Sequence, residues 1–259
     1  MNMNKRDDLL ILLAYPIIGA FLCYLLKINA FGSIIVFFGI PSLYLTLRNP
    51  KYFKKSIIFS LILGIPSIII IDYIAHLTGQ WLIPNSILPF RLFNFVSIEV
   101  IFWAIMNVYC VVTFYEYFMD RRLKNKVIEP HLKFLFVLLL LVIIVFLGLY
   151  YIVPNLLYIP YFYLCFGITL ILIPSILHFI KHPKLILRFF ETAAYFFFLT
   201  SVYEITALKL GWWNFPSKQF IGWIRILDVR FPVEELMFWL ILFTVAVLTF
   251  YEYFDDDEK

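Results

Sequence analysis

The block Glu99-Val-Ile-Phe102-Trp103, running on to Phe114-Tyr-Glu116-Tyr-Phe118, returns later in the chain as Glu235-Leu-Met-Phe238-Trp239, running on to Phe250-Tyr-Glu252-Tyr-Phe254. In both copies two carboxylates stand seventeen residues apart, and the first of each pair lies in a strongly apolar stretch. An ionisable side chain is expensive inside a membrane and is read there as functional by default. The repeated block therefore predicts a duplicated membrane protein with acids in its membrane layer.

Composition supports that class. Of 259 residues, 63% are hydrophobic, 20% aromatic and only 15% charged, whereas a soluble domain has about half its residues apolar and about a quarter charged. Nearly uncharged windows of about 20 residues, enough for a helix to cross ~30 Å of hydrocarbon, occur at 9–26, 30–47, 56–76, 94–118, 132–152, 158–180, 189–208 and 231–253. The expected fold is an all-α polytopic membrane protein of about eight transmembrane helices. Lys5-Arg6-Asp7-Asp8 precedes the first window and no small-residue cleavage site follows it, which predicts a retained helix.

Basic residues set the orientation by their placement. Lys5, Arg6, Arg48, Lys51, Lys54, Lys55, Arg121, Arg122, Lys124, Lys126, Lys133, Lys181, Lys184, Arg188 and Lys259 fall on one side of such a topology. Lys27, Arg91, Lys209, Lys218, Arg225 and Arg230 fall on the other. Both termini are expected in the cytoplasm of a multi-pass cell-membrane protein, and the topology rule accounts for the basic loops without a nucleic-acid partner.

The duplication extends upstream. Asp72 precedes Gly79, Trp81 and Pro84 by the same intervals at which Glu204 precedes Gly211, Trp213 and Pro216, and Ile40-Pro41-Ser42 matches Ile173-Pro174-Ser175. Two repeats of four helices follow, at 1–126 and 127–259. An even number of spans per repeat makes the copies parallel, related by a pseudo-two-fold axis along the membrane normal. Asp72, Glu204, Glu99 and Glu235 then converge on one layer at the less basic side, with Glu234 beside Glu235 but turned about 100° around the helix. Glu116 and Glu252, about 26 Å along the axis from the first pair, are expected at the cytoplasmic interface as snorkelling carboxylates in an aromatic belt.

Carboxylates crowded in a low dielectric cannot all ionise. A neutral acid beside an ionised one suits general acid and base work, and Arg91, Arg225 and Arg230 are the nearest cations in sequence to keep members charged. Cys23, Cys110 and Cys165 fall singly in spans and read as packing residues. His178 and His182 have metal-compatible i, i+4 spacing but no third ligand in view, and read as groups at an interfacial helix end. No metal is expected.

The chain resembles the membrane-embedded, flavin-independent carotenoid (lycopene) cyclases. The resemblance rests on Pro232-Val-Glu234-Glu235 with Phe238-Trp239 behind it, Gly211-Trp-Trp-Asn-Phe215, Gly222-Trp-Ile-Arg225, and Asp72, Gly79 and Trp81 in the first half. It implies acid-initiated cyclisation of the ends of lycopene to β-carotene through γ-carotene by way of a carbocation, without net redox change. Glu235, Glu234, Glu99, Asp72 and Glu204 are the implied catalytic acids. Trp81, Trp103, Trp213, Trp239, Phe102 and Phe238 are the implied substrate contacts, their rings suited to a cation. Lycopene, membrane lipid and other carotenoid-pathway enzymes are the implied partners.

In the first half Val96-Ser97-Ile98 replaces Pro-x-Glu, which favours one site between the halves. Glu235 is preferred over Glu234 as proton donor because Glu99 is read as its counterpart. No Gly-x-Gly-x-x-Gly nucleotide fingerprint occurs, and no cofactor is expected. The competing reading is a proton-coupled transporter, since parallel repeats with acids also suit alternating access; few glycines and aromatic-rich loops beside the acids weigh against it.

Overall fold

The computed structural model describes residues 4–119 and 131–254. Among these, eight helices are long and apolar enough to cross a membrane: α1 (Lys5–Leu26), α2 (Ala30–Arg48), α3 (Pro50–Leu77), α4 (Ile98–Phe118), α5 (Leu132–Ile152), α6 (Phe162–Lys181), α7 (Pro183–Leu210) and α8 (Glu235–Phe254). The protein is an all-α polytopic membrane protein. Arg121, Arg122, Lys124, Lys126, Lys259 and the proposed repeat boundary at 126 lie outside the described residues.

Helix limits follow local chemistry. α3 and α7 each begin in a short 3-10 turn at a proline, Pro50–Tyr52 and Pro183–Leu185, because the missing N–H costs nothing at a helix start. Both therefore start earlier than their apolar windows predict. α4 starts later, at Ile98, because Val96–Ser97 is a strand and the Ser97 side chain caps the Val100 N–H. α3 and α7 are followed by Gly79 and Gly211 at φ +65° and +71°, left-handed backbone that glycine adopts without a Cβ penalty.

The element order of the first half recurs in the second. α2 and α6 each contain a π-helical turn, Ile35–Gly39 and Gly167–Leu172, immediately before Ile-Pro-Ser. Widening the helix there accommodates a proline that supplies no N–H. Ser42 and Ser175 each donate 2.6 Å to the carbonyl four residues earlier, Phe38 and Ile171. Between the third and fourth helices of each half lies an antiparallel hairpin, β1 (Arg91–Leu92) with β2 (Val96–Ser97), and β3 (Trp223–Ile226) with β4 (Val229–Pro232).

The halves meet through contacts between equivalent residues. At the hairpin end, Leu82 and Asn214 exchange both backbone hydrogen bonds at 3.0 Å; each lies ten residues beyond its half's Asp72 or Glu204. At the opposite end, Tyr115 donates to Glu252 while Tyr251 donates to Glu116. A reciprocal pattern of this kind is what a two-fold relation produces, here at both ends of the bundle. Glu116 and Glu252 are buried, and Lys55 lies 3.3 Å from Glu116, so the expected snorkelling carboxylates are instead interior groups that tie α4 to α8.

Two glycines separate backbone from packing effects. A Cβ on Gly211 meets nothing within 4 Å, while one on Gly167 runs into the Phe238 ring. Gly211→Ala is expected to cost about 1–2 kcal/mol through its left-handed φ. Gly167→Ala is expected to cost about 1–3 kcal/mol through overpacking, a penalty that Phe238→Leu should relieve only at Gly167. Thermal unfolding in detergent of the two single and two double variants checks this.

Candidate active site

The acid layer forms where the two tryptophan loops cross. Trp81 and Trp213, equivalent residues of the two loops, have ring centroids 5.9 Å apart, and Trp103 and Trp239, one turn into α4 and α8, are also 5.9 Å apart. Trp81 stands edge-on to Trp103 and Trp239 at 5.8 and 6.2 Å. These four indoles, with Glu204, Glu235, Asn107 and Tyr203, surround a cavity of about 20 Å³, room for about one water-sized group.

The five predicted acids occupy different settings. Glu204 accepts a 3.1 Å hydrogen bond from Trp213 Nε1 and shares the cavity with Glu235. Glu235 is 4% exposed, and its Oε2 has no hydrogen-bond partner among the described residues. Glu99 is engaged elsewhere: it accepts from Ser86 Oγ at 2.7 and 2.8 Å and from the Ile87 N–H. Glu234 accepts the Ile221 N–H at 2.7 Å. Glu99 and Glu234 thus hold the loops that precede their helices.

That arrangement revises the pairing of the halves. Glu99 does the work of Glu234, so Glu235 is not its counterpart. Trp103 follows Glu99 by four residues, but Trp239 follows Glu234 by five. The additional residue is absorbed by a π-helical turn over Glu235–Leu242, where α4 stays a regular α-helix. The turn brings Glu235 into the cavity and still returns Trp239 to its place opposite Trp103. Turns of this kind cluster at functional sites.

Asp72 also departs from its repeat partner. It is buried, with Arg91 as the cation in electrostatic reach, but it does not line the cavity. The indole nitrogen of Trp81, which corresponds to the one that bonds Glu204, has no hydrogen-bond partner among the described residues; aspartate is one methylene shorter than glutamate. Arg91 itself donates to the Phe95 and Ile83 carbonyls at 3.0 and 2.7 Å and shapes its own loop. Arg225 and Arg230 lie away from the acids: Arg225 faces Asp228 at 3.5 Å in an exposed pair, and Arg230 covers the Trp223 ring at 4.3 Å.

Phe102 stacks on Phe31 at 4.9 Å, and Phe238 packs against Gly167, so neither lines the cavity. Two residues that the motifs did not single out belong to the site. Asn107 presents a buried Oδ1 with no partner among the described residues; a lone amide inside an apolar span is a legible signal. The phenol of Tyr163, whose ring packs on Trp239 at 6.1 Å, lies in electrostatic reach of Glu235, Glu204 and Asp72. Nothing in the sequence distinguishes it from the other tyrosines. Its backbone N–H is held by Gln80 Oε1 at 2.7 Å, which fixes the start of α6 to the first-half loop.

Glu99→Gln is expected to lower stability by about 1.5–3 kcal/mol, the usual worth of hydrogen bonds to a charged acceptor. Glu235→Gln has no such bonds to lose and is expected to leave unfolding unchanged. Thermal unfolding of both proteins in the same detergent measures the contrast; equal losses would contradict the division between a loop anchor and a cavity acid.

No protein-family model, curated protein or solved structure matches this chain.

Proposed function

We propose that the protein is a membrane-embedded carotenoid cyclase that closes the ends of lycopene to β-carotene through γ-carotene. The reading rests above all on one observation: Glu235, buried and with an Oε2 that has no hydrogen-bond partner among the described residues, faces a ring of four indoles in a cavity that it shares with Glu204.

A neutral Glu235 carboxyl protonates the terminal double bond of the polyene. The resulting carbocation is attacked by the neighbouring alkene, a six-membered ring closes, and the charge moves to a ring carbon. Glu204, oriented by Trp213, removes a proton from the adjacent carbon and leaves the new double bond. One proton enters and one leaves, so substrate and product have the same mass and no redox cofactor takes part. An alkene is a weak base, and the cation must be kept from water. Indole faces attract cations, and a closed, water-poor site strengthens every electrostatic contact within it.

Glu234 and Glu99 support this chemistry as loop anchors, and Asp72 adds an acid in electrostatic reach of Tyr163. The space adjoining the acid cavity is lined almost wholly by hydrocarbon side chains, which suits a polyene better than the hydrated solute of a proton-coupled transporter. In this reading the protein is a multi-pass cell-membrane enzyme with both termini cytoplasmic, working on a lipid-dissolved substrate beside other carotenoid-pathway enzymes.

Expression in lycopene-accumulating cells, with pigments separated by chromatography and weighed by mass spectrometry, tests the reading. A less retained pigment of unchanged mass is expected. Glu235→Gln should reduce it by about 10²–10⁴-fold, the usual contribution of a positioned general acid, and Glu204→Gln should also reduce it. Intact lycopene in cells that contain the folded parent protein would overturn the reading. A reporter fused within the Gly211 loop is expected on the outer side of the membrane; a cytoplasmic signal would overturn the orientation.

A further inference from the structure

A second cavity, of about 280 Å³, adjoins the acid cavity and shares Trp103 and Trp239 with it. It runs between α3, α4, α5, α6 and α8, and Ser67 is the single hydroxyl-bearing residue in its lining. Along α8 it extends from Trp239 to Phe250, about 16 Å of helix, or roughly half the thickness of a hydrocarbon core. Leu138 and Val142 of α5 and Leu170 of α6 form its rim, and all three are exposed. The groove is therefore open on the lipid-facing side, where α5 packs on α3 and only lightly on α8.

On the equivalent flank of the first half the helices approach closely at Gly19. There α1 packs on α7 as α5 packs on α3, but Gly19 lets α2 come so close that an added Cβ would lie 3.1 Å from Val36 and 3.8 Å from Phe37. This groove lies on the side of α5, and it leads directly to the indoles around Glu235.

We infer that the groove holds the unreacted length of the linear polyene, admitted sideways from the bilayer between α5 and α6, with Trp103 and Trp239 as the movable wall between the groove and the acid cavity. The inference rests on the cyclase reading and adds the path and posture of its substrate. A cavity of about 20 Å³ takes a six-carbon chain end only if those two rings turn aside, and they are the rings that face the groove. The hydrocarbon chain needs no polar partner and finds none beyond Ser67. With one end of the polyene at Glu235 and the rest running away along α8, one end reacts in each binding event.

The test uses full-length Glu235→Gln protein purified from lycopene-accumulating cells, with lycopene retained per mole of protein read from visible absorbance. Ala246→Phe fills the groove floor far from the acids, and Leu170→Trp narrows the rim at the lipid surface. Both are combined with Glu235→Gln and, separately, placed in the parent chain for product analysis. Val137→Trp, on the exposed lipid face of α5 outside the groove, is the control. Retained lycopene and cyclised product are expected to fall together by about tenfold or more in both groove variants, as for steric loss in an apolar pocket, and to be unchanged in the control.

Groove variants that are folded by gel filtration yet bind and cyclise like the parent would overturn the inference and leave the groove to lipid acyl chains. If Ala246→Phe fails to fold, Leu170→Trp decides by itself, because its added bulk lies at the lipid surface. A parent that neither converts lycopene nor retains it as Glu235→Gln would overturn the cyclase reading, and this inference with it. That failure appears in the parent and not in the groove variants alone, so the two are distinguishable.

Discussion

The contact on which the architecture depends is the reciprocal meeting of the halves along their common axis. At one end Leu82 and Asn214 exchange backbone hydrogen bonds. At the other, each half lends a tyrosine to the other's carboxylate, Tyr115 to Glu252 and Tyr251 to Glu116. In hydrocarbon an unpaired backbone group or carboxylate is costly, so these contacts make separation of the halves expensive at both ends. They also bring Trp81 against Trp213 and Trp103 against Trp239, and an aromatic chamber results without further design.

A symmetric chamber would offer equal acids from both halves, and two small departures prevent this. The first half carries aspartate at position 72, where the second carries Glu204 bonded to Trp213. The second departure is the residue gained between Glu234 and Trp239, taken up by a π-helical turn. The turn adds Glu235 to the chamber and leaves Glu234 to hold its loop as Glu99 holds the other. The recurring elements supply the scaffold, and one extra residue makes the chamber asymmetric.

The same asymmetry extends to the lipid face. Gly19 closes α1 onto α2 through Val36 and Phe37, whereas α5, the most apolar and least buried of the eight helices, leaves an open hydrocarbon groove beside α6 and α8. Packing density is high in protein interiors, and this groove of about 280 Å³ departs from it beside the buried acids.

Much of the fold was legible in the sequence because the bilayer asks a simple question of it. About twenty apolar residues make a span, and all eight windows fall on helices, with ends shifted by local features such as Pro50, Pro183 and the strand at Val96–Ser97. The repeat was legible because identical spacings from Asp72 and Glu204 need no structure to be seen. The sequence by itself also singled out Asp72, Glu99, Glu204, Glu234, Glu235 and the four tryptophans, since charged and indole side chains in such a setting are conspicuous. The direction of each side chain belonged to the tertiary structure. A helix residue turns about 100° per position, so one extra residue in a π turn decides whether Glu235 or Glu234 enters the chamber, and no composition or spacing rule records that turn. For the same reason Glu116 and Glu252 proved interior, Phe102 and Phe238 faced other helices, and Tyr163 joined the acids from the start of α6: partners on neighbouring helices are chosen by packing, which a linear pattern does not contain.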